Sequence, residues 1–146
     1  YMETKITIAG ALSEIKHVES FFDQLTEKHN IPADTRFKID MVMDEILTNI
    51  ISYGYKDKEE HYIDIYVHIE NNIIKIVIED DAIAFNPLLA PPPDLTIPLE
   101  ERPIGGLGIY LVKTSVNTID YARENGRNIL SMTMDLSATE QHVTEG

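Results

Sequence analysis

Glu45 and Asn49 stand four residues apart in a segment otherwise dominated by Met41, Val42, Met43, Ile46, Leu47, Ile50 and Ile51. At that spacing two side chains share one helix face, about 6 Å apart along the axis. A carboxylate so placed can act as general base toward a hydroxyl or water. An asparagine oxygen can complete an octahedral Mg2+ shell built mainly from phosphate oxygens and water. On spacing alone, a solvated stripe or a buried hydrogen-bonded pair is the simpler account.

Two further groups invite the same question. Asp80-Asp81-Ala82-Ile83-Ala84-Phe85-Asn86-Pro87 follows an apolar alternating run. An inward-pointing Asp80 could accept a hydrogen bond from an adenine amino group; equally, Asp and Asn cap strand ends through Asx turns. Gly105-Gly106-Leu107-Gly108 opens a helical segment. Bare glycine backbone lets amides approach a phosphate, and a helix N-terminus adds positive potential; the alternative is a hinge. Arg102, one of four arginines, is a candidate phosphate clamp. It could instead pair with Glu100 or Glu101 on the surface.

The charge balance sharpens these readings. A formal net charge of −13 repels nucleic acid and anionic lipid, so neither is expected as a partner. It repels ATP as well, so a nucleotide site must supply local positive potential from a metal ion, a helix N-terminus or a placed arginine. With no cysteine in 146 residues, disulfides, thiolate nucleophiles and zinc-thiolate sites are excluded. No apolar run approaches the roughly 20 residues that cross a bilayer, and the expected location is the cytoplasm. Histidines 17, 29, 61, 68 and 142 show no metal-ligand spacing and read as surface or strand residues. Tyr53 and Tyr55 read as packing residues.

The elements that must position these groups follow from periodicity. Residues 3–8, 61–69, 73–79, 117–123 and 127–136 alternate or pair as strands, with turns at Asn71-Asn72 and Asn125-Gly126. Leu12, Ile15, Val18, Phe22 and Leu25 have helical spacing. Ser13 could cap that helix's first turn, and Asn30 with Pro32 ends it. A second helix, capped by Asp34 or Thr35, runs to about Ser52 and stops at Gly54. A third follows the glycines to about Ser115. Between Pro87 and Pro103 the chain lacks periodicity and carries Pro91-Pro92-Pro93, as a functional lid would. The expected architecture is a two-layer α/β sandwich: a mixed, mostly antiparallel sheet with three helices on one face. One domain spans 3–136, and 137–146 is a polar tail.

Together, Glu45…Asn49, then Asp80…Phe85-Asn86-Pro87, then Gly105-Gly106-Leu107-Gly108-Ile109 with a short lid between, resemble the Bergerat fold. This is the histidine-kinase-like ATPase superfamily of gyrase, sensor histidine kinases and mismatch-repair ATPases. The resemblance is closest to the anti-sigma-factor serine/threonine kinases of bacterial stress and sporulation control, and covers roughly residues 4–136. It implies ATP and Mg2+ as cofactors. It implies that Asn49 ligates Mg2+, that Glu45 takes the proton from a substrate serine, and that Asp80 reads the adenine amino group. Gly106 and Gly108 would hold phosphates beneath the lid, in a nucleotide contact set completed by Arg102, Gly105 and Leu107. Asn128 stands where the family often has a threonine near adenine. The family usually shows Asp-x-Gly-x-Gly where this chain has Ala82 and Ala84; if those positions need positive φ, each alanine costs about 1 kcal/mol. Tyr53 stands where the family often has histidine.

The resemblance implies a regulatory kinase that sequesters a sigma factor and phosphorylates a serine of a competing anti-anti-sigma protein. A homodimer is expected from it, through the exposed sheet face or an edge strand. The alternative, motivated by the two alanines, is a nucleotide-gated binding module without phosphotransfer. A detached histidine-kinase ATPase domain fits less well, since His17 lies inside a helix that the fold needs and no dimerisation helix pair carries a phosphoacceptor.

Overall fold

Alternating isoleucine, valine and methionine residues build a five-stranded sheet. A computed structural model describes residues 2–89, 96, 98 and 106–136. The strands are β1 (Met2–Ala9), β2 (Tyr62–Glu70), β3 (Ile73–Asp80), β4 (Thr118–Glu124) and β5 (Arg127–Asp135). Their spatial order is β1-β2-β3-β5-β4. All four pairings are antiparallel, so the sheet expected to be mostly antiparallel is wholly so. Two of them are tight hairpins, which can only be antiparallel. Their turns, Asn71-Asn72 at φ 55 and 63 and Asn125-Gly126 at φ 52 and 74, have the positive angles of primed turns.

Register fixes one face as the core. Val67, Ile76, Met132 and Ile119 lie in one cross-strand row; Ile65, Ile78, Leu130 and Tyr121 lie in the next. The row after that breaks the apolar pattern: Ile63 is followed by Asp80, Asn128 and Arg123. The candidate site sits at this end of the sheet. On the opposite face Asp64 accepts a hydrogen bond from the Thr7 hydroxyl (2.6 Å) and from Arg127 (3.1 Å).

The helices α1 (Ile15–His29), α2 (Ala33–Asn49) and α3 (Gly106–Ser115) close the core. Val18, Phe22 and Leu25 of α1, Ile39, Val42, Met43, Ile46 and Leu47 of α2, and Ile109 and Val112 of α3 join the sheet's apolar face in one buried cluster. Ser13 lies inside a 3-10 turn, Leu12–Glu14, and caps nothing. Asn30 ends α1 in the left-handed conformation, φ 54. Pro32 takes the N-cap position of α2, extended at φ −58 and ψ 148. Asp34 and Thr35, expected to cap, therefore fall in the first turn, where Thr35 is buried. Arg36 ties the two helices together: its guanidinium meets Asp40 of α2 (2.8 Å), Asp23 of α1 (2.9 Å) and the Thr26 hydroxyl (3.0 Å).

One feature of α2 has no sequence signal. The helical path ends at Gly54 as expected, with Tyr55 extended, but its last turn, Ile50–Gly54, widens into a π turn. Such turns recur at functional sites. Among the described residues, no helix is long and apolar enough to cross a membrane. The lid segment from residue 90 to 105, apart from 96 and 98, and the tail 137–146 lie outside the described residues.

Candidate functional site

The π turn, the end of β3 and the β4–β5 hairpin enclose a cavity of about 230 Å³. Its walls are Ile46, Ile50, Tyr53, Ile78, Ile83, Phe85, Pro87 and Leu130, with Gly54 and Ala82 side by side. Its polar groups are Asn49, Asp80, Tyr121 and Asn128. Pockets that enclose whole drug-sized ligands run to roughly 300–1,000 Å³. This one suits a single planar ring system, with any charged appendage left outside.

Asp80 forms the floor and is 3% exposed. Its Oδ1 accepts two hydrogen bonds, from the Ala82 amide (3.0 Å) and from Asn128 Nδ2 (2.9 Å). The first is an Asx turn, so the strand-end role open to Asp80 is present alongside its place in the cavity. No bond from a described residue falls on Oδ2. Burial pushes the carboxyl up from its ordinary range, while the bonds from Asn128 and the Ala82 amide oppose that rise.

Asn128 pairs directly with Asp80 across β3 and β5. Every hydrogen-bonding position of its amide is taken. Nδ2 donates to Asp80 and to the Ile83 carbonyl (2.9 Å). Oδ1 accepts from the Phe85 amide (3.3 Å) and from the Tyr121 hydroxyl. An asparagine has two donors and one two-lone-pair acceptor, so Asn128 shapes the wall and has no free polar atom to offer a base. Arg123 holds the same loop from β4, donating to the Ala82 carbonyl (2.8 Å). The Gly54 carbonyl accepts from the Ile83 amide (3.0 Å).

Ala82 and Ala84 adopt no positive φ; among the described residues, the non-glycine ones that do are Asn30, Asn71, Asn72 and Asn125. The strain considered for these alanines is therefore absent. The Ala82 methyl is instead accommodated by Gly54, where an added Cβ would lie 2.7 Å from it.

Along α2 away from the cavity, Asn49 Nδ2 donates to Glu45 Oε2 at 2.9 Å. Glu45 can only accept, so this bond turns Asn49 Oδ1 away from it and leaves an oxygen as the available ligand. That donor set fits Mg2+, which takes oxygen ligands and usually only one or two from protein when phosphates supply others. The Glu45 carboxylate meanwhile rests against Gly108 in the first turns of α3. A Cβ on Gly108 would lie 2.1 to 2.3 Å from its carboxyl atoms. Glycine is required there for close approach.

The structure thus brings Glu45, Asn49, Asp80, Ala82, Gly108 and Asn128 to one end of the fold. Gly106 and Leu107 lie in the first turn of α3, whereas Arg102 and Gly105 lie outside the described residues. Gly54, Tyr121 and Arg123 join the site without having been expected there from the sequence, and His61 stands just outside the cavity. His61 stacks on Tyr55 (ring centroids 4.2 Å apart, 11° between planes) and stands between two aspartates. Its Nε2 meets Asp57 Oδ1 at 2.6 Å and its Nδ1 meets Asp81 Oδ1 at 3.1 Å. The bond to Asp57, then that to Asp81, raises the imidazole's pKa above its ordinary value.

Comparison with known proteins matches residues 8–134 to the histidine kinase-like ATPase domain. The chain is 28% identical over 101 residues to the serine/threonine-protein kinase BtrW of Bordetella bronchiseptica, covering 69% of this chain and 71% of that one. It is 30% identical over 94 residues to the serine-protein kinase RsbW of Bacillus cereus, covering 62% and 58%. It is 28% identical over 94 residues to the RsbW of Bacillus thuringiensis, with the same coverage. The chain thus spans less than two thirds of the length of these RsbW relatives.

Proposed function

The chain belongs to the histidine kinase-like ATPase family, and from that premise we propose that it is an ATP-dependent serine/threonine protein kinase of the anti-sigma type. The observation that carries this reading is the order of groups across the site: an apolar cavity sized for one planar ring system with the Asp80 carboxylate in its wall, then Asn49, then Glu45 against α3. That order follows the parts of a nucleotide from base to terminal phosphate. In this reading the base enters the cavity and its exocyclic amino group donates to Asp80 Oδ2. The phosphates extend past Asn49 toward the N-terminal end of α3, whose positive end offsets the repulsion expected from a charge of −13.

Mg2+, when bound through Asn49 Oδ1 and phosphate oxygens, neutralises charge on the transferred group. Glu45 accepts the proton of the substrate serine as its oxygen forms a bond to the γ-phosphorus and the bond to the leaving ADP oxygen breaks. Gly106 and Gly108 admit the phosphates at close range; Arg102 and Gly105, which precede them in the sequence, complete the nucleotide contact set. The substrate is a serine of an antagonist protein, and the second partner is a sigma factor that the kinase sequesters. The serine-kinase names of the relatives support the reaction class.

Glu45→Ala tests the chemistry. Losing a general base costs roughly 10²–10⁴ in rate. Phosphotransfer from labelled ATP to the co-purified partner is expected to fall by that factor, with ATP affinity by calorimetry nearly unchanged. Loss of both together in a folded variant argues against a base role. The second reading is a nucleotide-gated binding module, to which the chain's Ala82 and Ala84 in place of the family glycines point. Tight ATP binding without transfer to any partner serine would select it, and no binding at millimolar nucleotide would remove both.

A further inference from the structure

We propose that Tyr121 is the positioning residue that fixes Asp80 as a hydrogen-bond acceptor toward the base, so that the pocket selects an amino-bearing purine over a carbonyl-bearing one. The inference rests on the nucleotide reading above and deepens it.

The amide of Asn128 links Tyr121 to Asp80. Either orientation of an asparagine amide is possible until its neighbours decide. Here they decide without ambiguity. The Phe85 amide can only donate and lies at Oδ1; the Ile83 carbonyl can only accept and lies at Nδ2. Oδ1 is therefore the acceptor, and the Tyr121 hydroxyl, which can play either role, must donate to it. With Oδ1 held twice, Nδ2 is aimed at Asp80 Oδ1. Together with the Ala82 amide it supplies two donors to one carboxylate oxygen. Burial works against the charged, acceptor-only form of Asp80, and these two donors oppose that push; they leave Oδ2 for the ligand.

A purine with a 6-amino group satisfies such an acceptor. A purine with a 6-carbonyl sets lone pair against lone pair in a buried site, where an unmatched polar group is costly. Selectivity therefore depends on keeping Asp80 from becoming a donor or turning away. Tyr121 is the outermost link in that chain: it comes from β4, the edge strand, and its row neighbour on β5 is Leu130. The Phe85 contact alone is long, at 3.3 Å. Removing the hydroxyl leaves Asn128 Oδ1 with only that bond.

The test is equilibrium titration of the full chain with Mg2+ and either ATP or inosine triphosphate, for the wild type and Tyr121→Phe, with thermal melting as a check on the fold. The wild type is expected to prefer ATP. In Tyr121→Phe the ATP-to-inosine-triphosphate preference is expected to fall by about fivefold, the scale of one net hydrogen bond. Asn128→Ala, if it folds, is expected to lower the preference further. An unchanged preference in Tyr121→Phe, or an equal loss for both nucleotides, overturns the proposal and leaves the nucleotide site standing. A wild type that binds both equally does the same. A wild type that binds neither overturns the nucleotide reading itself.

Discussion

Gly54, closing the π turn after α2 at the cavity, and Gly108, in α3 beside Glu45, are each bare because something presses against them. At Gly54 the neighbour is the Ala82 methyl, part of a loop pinned by Asp80, Asn128 and Arg123. At Gly108 the neighbour is the far end of the Glu45 side chain, held by the bond from Asn49. The first neighbour has no torsion with which to retreat; the second has three. The cavity end is pre-organised by a closed hydrogen-bond network, whereas the carboxylate end is poised on a flexible side chain. The same substitution, glycine to alanine, should therefore injure function at one end and stability at the other.

Gly108→Ala should have the largest effect. The new methyl displaces the Glu45 carboxylate at little cost in stability, because the side chain can swing. Misplacing a reacting group by an ångström can cost about 10²-fold in rate. Phosphotransfer is expected to drop by about that factor while the denaturation midpoint stays near wild type. A variant that transfers phosphate normally would show that the Glu45–Gly108 contact does not bear on the chemistry.

Asp80→Asn comes next and probes the pinned end. It preserves shape but replaces the charged acceptor, and hydrogen bonds to charged groups contribute about 1.5–3 kcal/mol. ATP affinity is expected to fall roughly 10- to 100-fold, with the transfer rate at saturating ATP much less affected. An undiminished affinity would mean that the base does not reach the floor of the cavity.

Gly54→Ala should act mainly on stability. Forcing a methyl to 2.7 Å from Ala82 overpacks a site that cannot yield, at about 1–3 kcal/mol. The double variant Gly54→Ala with Ala82→Gly restores the space by exchanging the methyl. It should recover most of the loss in urea denaturation. Additive losses would show that the two residues do not share one volume.

The two ends also differ in how far the sequence revealed them. Glu45 and Asn49 are local, four residues apart on a helix whose period is plain, and the hydrogen bond between them follows from that spacing. The strands were equally legible, since Ile63, Ile65, Val67 and Ile69 mark a core face by alternation alone. The closed network at the cavity was not. Asn128 bonds to Asp80, Ile83 and Phe85, each more than 40 residues away, and Arg123 reaches Ala82 across 41. Those partners become neighbours only once β5 is placed beside β3. The strain weighed for Ala82 and Ala84 was a question of backbone angle, which residue identity leaves open. The π turn at Ile50–Gly54 is likewise demanded by no residue type there.

The smallest expected effect lies just outside the cavity, where His61 is held by Asp57 and Asp81. Both contacts favour the imidazolium, so its folded pKa lies above the ordinary 6.5. A group raised on folding contributes stability that is complete below the unfolded value and disappears as pH rises through the folded one. Asp57 has the opposite sign: its carboxyl is lowered from 3.8, chiefly by the His61 bond, so its contribution is present above 3.8 and lost as pH falls through the lower folded value. The clasp is therefore complete from about pH 4 to about pH 6.5 and weakens above that as His61 loses its proton. His61→Gln should flatten the wild type's decline in melting temperature between pH 6.5 and 8.5. An equally steep decline in the variant would assign that pH dependence to other groups. Because Asp81 adjoins Asp80 in the chain, the same titrations with ATP present would show whether releasing the clasp reaches the pinned end. The density of bonds around Asp80 Oδ1 argues that it does not, and ATP affinity should vary less than twofold across that window.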